Sequence, residues 1–165
     1  MEKEKSVSEI TDEAISDGGY LAQIYFDLHA KTADDVKSLM VGFISKLTKE
    51  PGVIYAVGEI DSPLEKGGVF STWAEVKLLA KDFSTLVRIS SQYSPIGVEI
   101  LRPDKVSLSL AEAQGALLDI SQVSQNFTRM IMERVLSKEE AEEYRQKMLS
   151  RTELGRKLLK KEQQA

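Results

Sequence analysis

Between Tyr20 and His29 the chain reads YLAQIYFDLH, and no other stretch constrains the fold as strongly. Successive side chains of a strand point to opposite faces. Tyr20, Ala22, Ile24, Phe26 and Leu28 therefore share an apolar face, while Gln23, Tyr25, Asp27 and His29 share a polar one. The run predicts a strand buried on one side only.

The segments that follow set the order of elements. Thr32 reads as a helix N-cap with Asp34 and Asp35 in the first turn, followed by Val36, Leu39, Met40, Phe43, Ile44 and Leu47 at helical spacing. Pro51 and Gly52 end that helix. VIYAVGEI, Val53 to Ile60, is a second strand, and DSPLEKGG connects it to a third from Val69 to Leu79. A short helix over Asp82 to Tyr93 and a fourth strand at IGVEIL complete the pattern. Strand, helix, strand, strand, helix, strand is the ferredoxin-like βαββαβ order. It predicts an α+β domain with a four-stranded antiparallel sheet and both helices on one face.

After Pro103 the chain turns helical. SLAE at 109–112 and SKEE at 137–140 are capping boxes. Leu110, Ala113, Leu117, Ile120, Phe127 and Ile131 follow the first at alternating three- and four-residue steps, interrupted by Ser124. Such a seam calls for a cover, either the open sheet face or another subunit. The expected organisation is a flexible arm at 1–18 with room for a short helix over Val7–Ile15, a ferredoxin-like domain at 19–106, and C-terminal helices at 107–165.

Composition removes several function classes. The 165 residues suffice for one domain with a core, and 42% apolar with 29% charged residues is a globular balance. No cysteine is present, which excludes disulfides, thiolate metal sites and cysteine nucleophiles. The apolar runs fall far short of the roughly 20 residues that span a bilayer. The polar, acidic start MEKEKSVSEITDE lacks signal-peptide character, so a cytoplasmic location and no membrane partner are expected. A net charge of −4, with basic residues clustered only in RKLLKKEQQ, argues against a nucleic-acid partner.

Candidate sites follow from the strand faces. With the first and third strands central, Tyr25, Asp27 and His29 neighbour Trp73, Glu75 and Lys77 on the helix-free face. These six are the ligand or interface candidates, and Trp73, Tyr25 and His29 are expected to be covered by the C-terminal helices or a second subunit. KGGVFSTW at 66–73 echoes the ribonucleoprotein signature of RNA-recognition domains. Its fifth position, Phe70, has the parity of Ala74 and Val76 and belongs to the core, so the spacing fits and the geometry does not.

Asp27 and His29 share a face and can form an acid–base pair, but no nucleophile announces itself and no catalytic residue is assigned. Glu59, Asp61 and Glu65 lack the spacing of a calcium loop, and a single histidine makes no metal site, so no metal or cofactor is expected. Gly67 and Gly68 precede a strand rather than a helix, which suits a hairpin better than a phosphate loop.

The element order, the PGVIYAVGEI entry to the second strand and the short helix leading to SPIGVEIL resemble the ACT-type regulatory domains, including the effector domain of the leucine-responsive regulatory protein family. The resemblance covers residues 19–103. It implies sheets paired between subunits and a small, amino-acid-like effector held at an interface near Gly52, Asp61, Gly67 and Gly68. The chain departs from those transcription factors in having too few residues before the first strand for a helix-turn-helix. The expected function is a non-enzymatic regulatory or scaffolding module that forms a homo-oligomer through its sheet face and C-terminal helices. The alternative is an effector sensor, with RNA binding or an enzyme behind both.

Overall fold

A computed structural model of the chain describes residues 5–162, with the side chains of residue 152 and of 155–162 left aside. The side chains of the basic stretch RKLLKKEQQ and the first four residues of the expected arm lie outside this description. Among the described residues the elements run α1 (Val7–Ser16), β1 (Tyr20–Ala30), α2 (Ala33–Leu47), β2 (Val53–Ile60), β3 (Leu64–Lys66), β4 (Val69–Ala80), α3 (Phe83–Tyr93), β5 (Gly97–Arg102), α4 (Leu110–Val135) and α5 (Lys138–Glu162). The chain is α+β, with one antiparallel sheet of order β2-β4-β1-β5 in which β3 adds a fifth strand beside β4.

Four strands were expected, and β3 is the addition. Leu64 to Lys66 are all exposed and show no apolar alternation, so the segment reads as loop. It pairs because Gly67 and Gly68, at φ 63° and 79°, make a two-residue turn that carries the ladder on from Val69 to Lys66.

The apolar face of β1 packs as its alternation requires. Ala22, Ile24, Ala74, Val76 and Leu78 are fully buried against Met40 and Leu47 of α2 and Ile89 of α3. Phe43 meets Phe26 at 4.9 Å and Tyr93 at 5.2 Å, both edge to face, and so links sheet, α2 and α3. Thr32 caps α2 through the Asp35 N–H at 3.1 Å, and Asp82 caps α3 through the Thr85 N–H at 2.8 Å.

The expected arm carries a helix. Ser6 and Glu9 form a capping box at the start of α1, and Thr11 is buried with its hydroxyl 3.0 Å from that of Tyr55 on β2. Arg102 on β5 donates to Asp12 at 2.7 Å. Leu21 and Leu79, opposite each other on the polar side of the sheet, are buried at this end. The helix thus docks on the sheet face away from α2 and α3.

The described residues divide into two compact units at Ser121/Gln122, inside α4. Ala116 is buried and Gly115 lies beside Ser84, so the first turns of α4 belong to the sheet unit. In the second unit the capping box at Ser137 and Glu140 opens α5, on which Ala141, Tyr144 and Met148 are half-buried.

Candidate functional site

The polar side of the sheet is built by register. Pairing of β1 with β4 sets Tyr25 opposite Glu75, Asp27 opposite Trp73 and Gln23 opposite Lys77. Pairing of β2 with β4 adds Glu59 beside Glu75 and Val57 beside Lys77. On the other flank Glu99 lies opposite Gln23, and the Tyr25 hydroxyl donates to its carboxylate at 3.4 Å. All six residues expected on this face share it, spread along the ladder from Lys77 opposite Gln23 to His29 opposite Ser71.

The face is electrostatically uneven. Glu59 and Glu75 are like charges directly across the ladder, which is unfavourable unless a cation or a counter-charge joins them. Lys77 is the neighbouring cation, and these three with Gln23 and Val57 line a depression of about 220 Å³. Burial first, then the Glu99 and Glu75 carboxylates, holds the Tyr25 phenol above its ordinary value. Gly97 lets this ring lie flat against β5, since a Cβ there would come within 3.1 Å of it.

Trp73 is 42% exposed while Tyr25 is half-buried, and Leu110, Leu117, Leu118 and Ile120 of α4 are exposed as well. The first turns of α4 place the small residues Gly115 and Ala116 against the sheet unit.

His29 Nε2 lies 3.2 Å from an Asp27 carboxylate oxygen, so the expected pair forms, with both side chains well exposed at the strand end. The ladder adds Ser71, which register sets opposite His29 and which the sequence pattern did not single out. Its hydroxyl donates to the Leu64 carbonyl at 3.4 Å. Asp27, His29 and Ser71 are thus neighbours, but the serine hydroxyl is turned to the β3 backbone.

The effector-loop candidates separate. Gly52 precedes β2 at the end where Val53 meets Ala80, whereas Asp61 follows it at the end where Ile60 meets Ala74. Eight residues of strand, about 26 Å at 3.3 Å each, lie between them. Gly52, at φ 83°, packs on Thr85, and a Cβ there would stand 2.3 Å from its Oγ1. Asp61 is held by its backbone, its N–H donating to Trp73 and its carbonyl accepting from Thr72. Gly67 and Gly68 sit in open space at the β3–β4 turn. One chain therefore offers no single pocket containing all four. Among the described residues no group of three or more acidic or histidine side chains could hold a metal ion, and no helix is long and apolar enough to cross a membrane.

The MJ0538 family model matches residues 21–158, from the second residue of β1 into α5, and the chain belongs to that family. No curated protein and no solved structure matches the chain.

Proposed function

We propose that this member of the MJ0538 family is a non-enzymatic regulatory or scaffolding module that self-associates through α4 and the open sheet face. The observation that carries the reading is the row of large apolar side chains left in solvent on α4, where Leu117 is 68% and Phe127 61% exposed. A sheet face with an exposed Trp73 adds a second uncovered area on the same chain. The strand order, with α2 and α3 connecting β1 to β2 and β4 to β5, supports a ferredoxin-like core extended by the short β3. The lack of cysteine suits the reducing cytoplasm. Light scattering tests the proposal: a mass at a multiple of 18.4 kDa is expected, and a strict monomer at high concentration overturns it.

A second reading rests on the depression beside Glu59, Glu75 and Lys77, whose paired carboxylates and single ammonium suit the two charges of an amino-acid-like effector. A ligand held there raises the melting temperature, and the rise grows with the logarithm of ligand concentration above its Kd. A thermal-shift screen of amino acids in which none stabilises the protein would remove this reading.

A further inference from the structure

Ala113, Leu117, Ile120, Ser124, Phe127 and Ile131 recur on α4 at the alternating steps of a coiled-coil seam, and the four large ones are between 49% and 68% exposed. We propose that this seam packs against the same seam of a second copy with the two helices antiparallel. The inference rests on the self-association reading above and supplies its geometry.

Three observations favour a second copy in this orientation. The first is side-chain volume. In an antiparallel pair the two kinds of seam position face each other, which sets Ala113 against Ile131 of the second copy, Leu117 against Phe127 and Ile120 against Ser124. Each small residue then receives an isoleucine, the interdigitation that close packing requires. A parallel pair instead sets alanine on alanine, serine on serine and phenylalanine on phenylalanine, leaving two gaps and one crowded layer.

The second is charge. From Leu110 to Ile131 the charged residues of α4 are Glu112, Asp119 and Arg129, all off the seam and its flanking positions. An uncharged belt of this width suits burial and gives no cross-helix ion pairs to dictate a parallel register. The acids Glu112 and Asp119 lie in the first half of the helix, while the second half carries Arg129, Glu133 and Arg134 and is net positive. Antiparallel packing brings unlike halves together and opposes the two helix dipoles.

The third is size. A seam from 113 to 131 is about 28 Å long at 1.5 Å per residue. With its flanking side chains, the pair removes on the order of 1,000–1,200 Å² from water, the lower end of what a specific interface buries. Because the same surface serves both copies, the contact closes on itself as a dimer.

The absence of cysteine makes the test direct, since any introduced thiol is the sole one in its chain. Full-length Ala113→Cys and Ile131→Cys variants are prepared reduced, then oxidised mildly alone and as a mixture. Antiparallel packing yields a covalent dimer containing one chain of each variant in the mixture, and none from either variant alone. Covalent dimer from the variants alone contradicts the orientation. If light scattering shows association while neither the mixture nor the single variants cross-link, α4 is not the interface, and this inference falls while self-association stands. If the protein is monomeric, both fall.

Discussion

The Tyr93 hydroxyl donates to Glu50 at 2.6 Å, joining the last residue of α3 to the loop that follows α2. Arg88, one turn earlier on α3, donates to the other Glu50 oxygen at 2.8 Å and also to the Pro51 carbonyl. Glu50 is thus the point at which the two helices on the apolar sheet face are tied together. Glu50→Ala leaves a half-buried guanidinium and a phenol without their acceptor, a loss of about 1.5–3 kcal/mol. Urea denaturation should show a lower midpoint at unchanged slope, and an unchanged midpoint would mean the tie contributes nothing.

The same tie responds to pH at both extremes. The Tyr93 hydrogen bond, opposed by burial and aided by Arg88, holds the Glu50 carboxyl below its ordinary value. Glu50 therefore contributes stability above the unfolded-state pKa of a glutamate, and that contribution disappears as pH falls through its lowered folded value. Burial, followed by the bond to Glu50, pushes the Tyr93 phenol up to about 12. Its contribution is complete below a tyrosine's unfolded value of about 10 and is lost as pH rises from there toward 12. Stability of the wild type should fall more steeply than that of Tyr93→Phe across this alkaline window. Parallel curves would contradict the assignment.

Gly52→Ala should be among the most damaging single-methyl additions to the chain. The new Cβ meets Thr85 Oγ1 at 2.3 Å, in a residue whose φ of 83° already disfavours a side chain. Thr85 is buried and bonded to Asp82 at 2.6 Å, so it has little freedom to move aside. A cost of about 2–4 kcal/mol follows from strain plus overpacking. Gly67→Ala meets nothing within 4 Å and carries only the positive-φ penalty, about 1–2 kcal/mol. Thermal melts of the two variants should rank in that order.

The two faces of the sheet can be compared through neighbouring residues of β1 and β4. Ile24 is fully buried, and Ile24→Ala should cost about 2–5 kcal/mol. Trp73, on the opposite face, keeps 42% of its surface exposed and so removes only part of a core residue's burial on conversion to alanine. Trp73→Ala should cost the dissociated chain less than Ile24→Ala does, about 1–2 kcal/mol. A larger loss in denaturation of dilute protein would reveal packing beneath the indole.

These contrasts mark what a single sequence conveys. The alternation in β1, the caps Thr32 and Asp82 and the three serine–glutamate capping boxes are local signals, and each appears as the spacing requires. The box at Ser6 and Glu9 was available to mark α1 as an ordered helix, yet its docking on the sheet through Thr11–Tyr55 and Asp12–Arg102 depends on tertiary contacts. Strand β3 escaped because its pairing is set by a glycine turn and not by its own side chains. At the candidate site, strand parity placed Tyr25, Asp27, His29, Trp73, Glu75 and Lys77 on one face. The like-charge contact of Glu59 with Glu75 and the approach of Ser71 to His29 depend on register, which no residue pattern specified. The separation of Gly52 from Asp61 follows from the length of β2 and the end of the sheet at which each lies.

Association of copies of the chain through α4 is tested by sedimentation velocity of Leu117→Asp beside the wild type. Leu117 is 68% exposed, so the new carboxylate leaves the fold intact, while a buried, unpaired charge at a helix seam opposes association. The wild type should sediment heavier than 18.4 kDa and the variant at that mass with unchanged circular dichroism. A variant that sediments with the wild type, whether both are associated or both monomeric, would contradict association through α4.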